Sequence, residues 1–267
     1  MADFSEHKDI VAASQAGAQG MALAFPTESR VQEILQENYG ADAKPSFQRV
    51  RFPTSGAKTY TIPAPDGDEP AEAIEGVVLH HGAARGYWSH AFSGDTPPDC
   101  SSVDGRTGTT NPSLTPDVLA SIGNPGGLCA TCPLNQWGSK RGPDGKPTNG
   151  KACKEMRRLW VLRKGDVLPI VVTMPPTSLG AFLDYAGKLS QRGIGMRSVL
   201  TRIGLVEAKN RGGIKYAQAT FWRSGNLDAE TEKNIRALAA LLEPTVRAVA
   251  VSNEDYRVAD EDGVVRD

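Results

Sequence analysis

The chain has 267 residues, of which 39% are hydrophobic and 6% aromatic. This length suits one large domain or a core with appended segments, and the composition suits a globular protein with a modest core. No run approaches the roughly 20 apolar residues that span a bilayer. The opening MADFSEHKDI is polar and lacks the apolar core of a secretory signal. The sequence therefore predicts a cytoplasmic protein with no membrane partner.

Charge is distributed unevenly along the chain, although the net charge is only −1. Between Lys140 and Lys215 there are 16 Lys/Arg and 5 Asp/Glu, which leaves the rest of the chain strongly acidic. A basic block of this size favours a polyanionic partner, because phosphate contacts dominate nucleic-acid affinity. The alternative is that these charges lie on different faces and are simply solvated.

The first predicted element is a helix over residues 27–39. Ser29 and Gln32 form a capping-box pattern, apolar residues recur on one helical face, and Gly40 ends the pattern. We therefore expect residues 1–44 to form an N-terminal helical segment.

Extended runs and two further helices follow. The runs with strand-like composition are residues 47–63, 74–85, 168–174, 198–207 and 213–222. The turn sequence Asn210-Arg211-Gly212-Gly213 joins the last two and predicts a hairpin. A helix beginning at Ser178 precedes this hairpin, and an amphipathic helix spans about residues 228–242, where Pro244 interrupts its pattern.

This order predicts a mainly β, α+β fold. Short strands with one helix before a closing hairpin fit a small closed barrel of the OB-fold type better than a parallel sheet. We place this OB-fold-like domain at residues 45–225 and a C-terminal helix at residues 226–250. Residues 251–267 are rich in acidic side chains and are expected to be a disordered tail.

Residues 93–153 form a long insertion that is dense in Gly, Pro, Asn, Ser and Thr. A structureless stretch of this length is unusual in a compact domain. The insertion holds all the cysteines of the chain, which are Cys100, Cys129, Cys132 and Cys153. The C-x-x-C pair can converge on one metal at about 2.3 Å per Zn–S bond, and the outer cysteines complete a closed tetrahedral shell. The sequence therefore predicts a structural Zn²⁺ ion that orders the insertion.

Two alternatives to this zinc site stay open. The four cysteines are either ligands or unrelated residues that include a redox-active C-x-x-C pair. The fourth ligand is either Cys100 or one of three nearby histidines, His80, His81 and His90.

Signatures of catalysis are missing from the sequence. No H-x-E accompanies the C-x-x-C pair, as zinc deaminases require, and four thiolates leave no position for a reactive water. There is no P-loop and no G-x-S-x-G motif. We predict that the chain is not an enzyme. An enzyme subunit such as a nuclease or primase accessory factor stays open, because Asp95, Asp99 and Asp104 could bind a divalent ion.

Aromatic residues are interleaved with the basic ones. Proteins that bind single strands combine a positive groove with aromatic faces on which bases stack. Tyr216 and Trp222 lie on the same face of a strand, whereas Phe221 lies on the other. The predicted nucleic-acid contacts are Arg85, Tyr87, Trp88, Trp137, Lys140, Arg141, Lys151, Lys154, Arg157, Arg158, Trp160, Arg202, Lys215, Tyr216 and Trp222. The alternative for Trp160, Tyr216 and Trp222 is an ordinary core position.

The layout of basic β-barrel, zinc insertion and acidic C-terminal tail resembles phage and plasmid single-stranded DNA-binding proteins. It is also similar to the zinc-containing OB-fold of the replication protein A large subunit, although that protein has two close cysteine pairs where this chain has one. The stretch GKACKEMRRLWVLRKGDVLPIVVTMPPTSLGAF resembles phage-type replication proteins. The resemblance covers about residues 45–225 and implies that the four cysteines bind metal and that the barrel aromatics stack on bases.

The function that follows is the coating and protection of single-stranded DNA in replication or recombination, in a bacterial cell or in the host cell of a phage. The acidic tail would then recruit replication or recombination proteins. The alternative is a zinc-stabilised protein-interaction or accessory module of a phage replication complex.

Overall fold

The computed structural model describes residues 25–40, 45–53, 56–89, 97–142, 144–209, 213, 215–252 and 255. Its strands are β1 (Arg49–Val50), β2 (Tyr60–Ile62), β3 (Glu69–Ala71), β4 (Ala73–Tyr87), β5 (Cys100–Ser102), β6 (Thr107–Thr110), β7 (Gly127–Leu128), β8 (Lys154–Arg163), β9 (Ile170–Met174), β10 (Val199–Lys209) and β11 (Lys215–Asn226). Its α-helices are α1 (Glu28–Tyr39), α2 (Pro116–Ser121), α3 (Pro176–Ser190) and α4 (Ala229–Ala248). Two short 3₁₀ helices span Pro133–Asn135 and Met196–Ser198.

The central strand is β4. Along one edge it pairs antiparallel with β8, which pairs in turn with β9, and β9 pairs in parallel with β1. Its other edge pairs with β10 near the start of the strand and with β5 at its end. The described strands thus form one nine-stranded sheet and a separate β2–β3 pair. The predicted mainly β, α+β fold is confirmed, and so is the hairpin of β10 and β11.

The pairing of the described strands does not close a barrel. No hydrogen-bonded pair joins β11 to β1 or β7, which end the branches of the sheet in the described part of the chain. Strand β4 is 15 residues long and gives its second edge to two different partners. The sheet therefore branches, whereas a small barrel curls back on itself.

Two apolar cores cover the two faces of the sheet. On one face α3 and the β2–β3 pair enclose Phe182, Tyr60 and the inward residues of β4, β8 and β10. On the opposite face α1 and α4 enclose Trp160 together with the neighbouring strand residues. Both faces of β4 are buried from Gly76 to Leu79, which explains why its sequence does not alternate there.

The helix ends differ in detail from the sequence predictions. Thr27, not Ser29, caps α1, because its Oγ1 accepts the Arg30 N–H at 3.3 Å. Gly40 ends that helix with φ +74°, as predicted. Helix α4 continues through Pro244 to Ala248, because Leu242 and Val246 on either side of the proline are both buried. None of the helices described here is long and apolar enough to cross a membrane.

The chain that leaves α4 is fastened to the sheet. Val251 and Asp255 are buried, so the predicted tail at 251–267 begins with packed residues. The Asp255 carboxylate lies 2.6 Å from Arg49 Nη1, and it accepts a hydrogen bond from Thr173 Oγ1. Arg158 Nη1 donates to the Val249 carbonyl at 2.8 Å. The rest of that tail and residues 1–24 of the predicted N-terminal helical segment lie outside the described residues.

The buried ion pair predicts a large loss of stability for Asp255→Asn. This change leaves the Arg49 guanidinium without its counter-charge in the interior, which costs about 3–5 kcal/mol when one partner of a buried pair is removed. Urea unfolding followed by tryptophan fluorescence measures the loss.

The matched control is Asp68→Asn. Asp68 lies 2.7 Å from Arg51, but the side chains of that pair are 41% and 55% exposed, and an exposed pair is worth about 0–1 kcal/mol. Equal losses of free energy in the two variants would contradict the structural role of Asp255.

Candidate metal and nucleic-acid site

The structure brings the four cysteines to one pocket. Cys100 begins β5, Cys129 and Cys132 flank the turn after β7, and Cys153 directly precedes β8. All four are free thiols and line the same cavity, whose volume is about 10 Å³. That volume is close to the smallest that holds one water molecule. The pocket therefore suits a single ion better than an organic ligand.

Backbone hydrogen bonds hold the segments that carry the thiols. The Cys129 N–H donates to the Arg106 carbonyl at 2.8 Å, and the Cys153 N–H donates to the Leu134 carbonyl at 2.8 Å. The Cys132 carbonyl accepts the Asn135 N–H at 3.0 Å, which closes the 3₁₀ turn after the C-x-x-C pair. The pocket is thus built from three chain segments that are fixed to one another.

We call residues 97–142 and 144–153 the cysteine-rich unit. The buried amide of Asn135 joins this unit to strand β4. Its Nδ2 donates to the Cys129 carbonyl at 2.6 Å, and its Oδ1 accepts from Arg85 Nη1 at 2.7 Å. Arg85 stands on β4 and also binds the Gly105 carbonyl at 3.0 Å and the Glu155 carboxylate at 3.0 Å. Sequence reasoning missed Asn135. The available signal was a polar residue three positions after Cys132, where a local fold needs an internal partner.

Burial raises the pKa of two of the thiols. The pKa of Cys100 rises to about 11, first because of burial and then because of the neighbouring Cys129 and Cys132 thiols. Burial raises the pKa of Cys153 to about 12, while the positive charge of Arg85 acts in the opposite direction. Both groups are therefore neutral thiols near pH 7 unless a cation takes the place of their protons.

No group of three or more His, Cys, Asp or Glu side chains in the described residues has the geometry of a metal site. The four thiols border one pocket without forming a closed shell of ligands. The shared cavity nevertheless gathers every cysteine of the 267-residue chain.

The predicted substitute ligands do not line this pocket. His80 belongs to β4, and its Nε2 donates to the carbonyl of Ala239 in α4 at 2.7 Å. His81 packs against Phe182 and lies 3.1 Å from Arg157. His90 lies outside the described residues.

The described acidic residues near Cys100 accept hydrogen bonds from backbone N–H groups of nearby loops. The Asp104 carboxylate accepts the N–H groups of Arg106 and Thr107 at 2.8 and 2.9 Å. Asp99 accepts the Ser89 N–H. Asp95 lies outside the described residues. Neither described aspartate lines the cysteine pocket.

Two tryptophans reach the surface beside cations. Trp137 belongs to the cysteine-rich unit and is 71% exposed, with Lys151 Nζ 5.2 Å from its ring centroid. Trp222 belongs to β11 and is 43% exposed, with the Arg202 guanidinium 5.7 Å from its ring. Phe221 packs against the core on the opposite face, as strand alternation predicts.

These two tryptophans lie near opposite ends of β4. Arg202 pairs in register with Glu75, whereas Arg85 contacts the cysteine-rich unit. Arg85 is ten positions after Glu75, which corresponds to about 30 Å of strand. The predicted aromatic and basic residues therefore do not gather at one point of the surface.

For Arg158 and Trp160 the predicted contact with nucleic acid is wrong, because both residues are buried. They are 1% and 3% exposed, Arg158 because it binds the chain after α4 and Trp160 because it lies under α1 and α4. Neither side chain can reach a nucleic acid in this structure. Arg85 is also occupied, since its guanidinium holds the network around Asn135.

The remaining predicted contacts lie at or near the surface. Arg141 is exposed, and Lys215 is exposed and lies 3.1 Å from Glu207. Tyr87 lines the cysteine pocket, and the Trp88 ring lies against Gly86. The half-buried residues of the set are Lys140, Lys151, Lys154, Arg157 and Tyr216.

Comparisons with known protein families, with curated proteins and with solved structures find no match.

The network predicts that Asn135→Ala loosens the cysteine-rich unit. The change leaves the Cys129 carbonyl and the Arg85 guanidinium each short of one partner, which costs about 1–3 kcal/mol. We expect a lower melting temperature and faster reaction of the thiols with a disulfide reagent.

Gln136→Ala is the matched control. The Gln136 side chain also binds two carbonyls of this unit, at 3.0 and 3.2 Å, but it is exposed to water that can replace it. Equal thiol reactivity in the two variants would contradict the role given to Asn135.

Proposed function

We propose that this chain is a single-stranded DNA-binding protein whose cysteine-rich unit is held by a structural zinc ion. The observation that carries the proposal is Trp137, an indole that is 71% exposed beside the Lys151 ammonium. Such a pair offers one ring face for base stacking and one cation for a phosphate. The cation–π contact also limits the freedom of both side chains before a ligand arrives.

The surroundings of Trp137 support a polyanionic ligand. Lys140 and Arg141 follow it closely in the same unit, at the start of the segment in which 16 Lys/Arg face 5 Asp/Glu. Phosphate neutralisation by such side chains supplies most of the affinity of non-specific binding. The proposed role is the coating and protection of single strands during replication or recombination in a cytoplasm.

Zinc fits the residues of the pocket. Four thiolates are the usual donor set of a structural zinc site, and the proposal requires their sulfurs to draw in to about 2.3 Å from the ion. A zinc ion with four thiolates carries two net negative charges. Arg85, which lines the pocket, and Lys151, 3.5 Å from the Asn135 amide oxygen, are placed to offset them. The ion would order the unit that presents Trp137.

The OB-fold-like arrangement belongs to the proposal. Helix α3 precedes the β10–β11 hairpin, as the helix between the third and fourth strands does in that fold. The branched sheet of the described residues supplies strands for such a surface without closing a barrel.

A protein-interaction or accessory module is the second candidate. Leu128 is 65% exposed and Val118 is 39% exposed, and both belong to the cysteine-rich segment. Exposed apolar residues of this kind suit a protein partner. Nucleic-acid binding ranks first because it also explains the cations beside the indoles.

The zinc proposal predicts one zinc per chain in protein purified without chelators. Cys132→Ser and Cys153→Ser should each lower the zinc content strongly, because three thiolates hold the ion less well than four. Zinc is measured by atomic emission and by its release to a chromogenic chelator.

Ser101→Ala, next to Cys100, serves as the control and should keep its zinc. Purified protein that neither contains nor binds zinc, with all four thiols reduced, would refute this part of the proposal.

The DNA proposal predicts that Trp137→Ala weakens binding to a labelled oligo(dT) of about 20 nucleotides by about 5- to 150-fold, the cost of losing one stacked base. Anisotropy titrations measure the affinity. For the unaltered protein, the affinity should also fall steeply between about 50 and 200 mM salt.

Trp160→Phe is the matched control, because Trp160 is buried and cannot stack on a base. Its affinity should equal that of the unaltered protein. If the protein does not bind oligo(dT), or if its affinity changes neither with salt nor in Trp137→Ala, the protein-interaction module is the better candidate.

A further inference from the structure

A glycine lies directly under the exposed ring of Trp222. Trp222 on β11 pairs in register with Arg202 on β10, and its ring leans over Gly204, two residues farther along β10. A Cβ at Gly204 would lie 2.9 Å from Trp222 Cη2 and 3.1 Å from Cζ3. Real Cβ atoms are hardly ever so close to a ring. The position of the indole therefore depends on the missing side chain of Gly204.

This tryptophan is outside the core although an aromatic core lies next to it. Its neighbour Phe221 points inward and contacts the rings of Phe182 and Tyr185, with centroids 5.6 and 5.9 Å away. Trp222 points the other way, so the Cη2–Cζ3 edge of its ring lies over Gly204 and much of the side chain stays in water. A large apolar side chain left in water stabilises the fold less than a buried one does.

Gly204 lies well inside an 11-residue strand, where glycine is unfavourable. A glycine inside a strand marks a bulge or a close approach. The register shift in the β10–β11 pair lies at Leu200 and Thr201 and not at Gly204. The closest approach at Gly204 is that of the Trp222 ring, followed by Thr220 Oγ1 at 3.2 Å from the same Cβ position.

The Arg202 guanidinium beside this ring can exchange the Glu75 carboxylate for another anion. Arg202 Nη1 lies 3.8 Å from the Glu75 carboxylate, and the two side chains are 46% and 44% exposed. An exposed ion pair of that length contributes little. A phosphate can therefore compete with Glu75 for the Arg202 guanidinium while the ring of Trp222 holds a base.

We propose that Gly204 is a positioning residue, which lets the Trp222 ring lie close to β10 so that its exposed part stacks on one unpaired base beside Arg202. This inference rests on the proposed function and names a second stacking position. Arg202 pairs with Glu75, about 30 Å of strand from Arg85 and the cysteine-rich unit. A single strand must span at least this distance to contact both tryptophans.

The test is a double-mutant cycle of Gly204→Ala and Trp222→Ala, with labelled oligo(dT) of about 20 nucleotides as the probe. Trp222→Ala should weaken binding by about 5- to 150-fold. Gly204→Ala should weaken binding in the unaltered background, because the added methyl group displaces the ring. In the Trp222→Ala background the same methyl group should change the affinity less than twofold, since no ring is left to displace.

Gly82→Ala is the control for alanine in a strand, because a Cβ there meets nothing within 4 Å. It should leave the affinity unchanged. Urea unfolding of every variant separates a loss of folded protein from a loss of affinity, and Trp222→Ala alone still tests the stacking position if Gly204→Ala unfolds.

Equal weakening by Gly204→Ala in both backgrounds would overturn the positioning role. A Trp222→Ala variant that binds like the unaltered protein, while Trp137→Ala binds weakly, would overturn the second stacking position and leave the proposed function intact. If the unaltered protein does not bind oligo(dT), both the second stacking position and the proposed function are refuted.

Discussion

The pairing of β4 is the constraint on which the rest of the structure depends. One edge of this strand is occupied by β8 over most of its length, and the other edge is divided between β10 and β5. The hairpin with Trp222 is therefore joined to the start of β4, and the cysteine-rich unit is joined to its end. Because both partners share one rigid strand, the distance between the two candidate contact regions is set by its length.

The cysteine-rich unit shows how a segment without an apolar core is ordered. Its strands are short and its glycines and prolines favour turns, so burial contributes little stability there. Polar contacts hold this unit together. The Asn135 amide bridges the Cys129 carbonyl and the guanidinium of Arg85 in the sheet. The proposed zinc would add a covalent-like link among the same three segments. This arrangement explains why an exposed indole such as Trp137 can be presented from a loop.

Many of the elements could be predicted from the sequence because their signals are local. The β-branched run of β9, the β10–β11 hairpin and the helix that ends at Gly40 each depend on residues close in the chain. The way in which the strands pair to form the sheet could not be predicted from such local signals. Whether the strands close into a barrel depends on which edges pair, and pairing partners such as Arg202 and Glu75 are far apart in sequence.

The sequence by itself determined the mainly β composition, the hairpin and the set of four cysteines, because each follows from the period or spacing of neighbouring residues. Only the tertiary structure decided which aromatic and basic residues are available. It buried Trp160 under two helices and Arg158 against the chain after α4, and it left Trp137 and Trp222 outside. Burial depends on contacts between distant segments. The same is true of Asn135, whose partner Arg85 is 50 residues away.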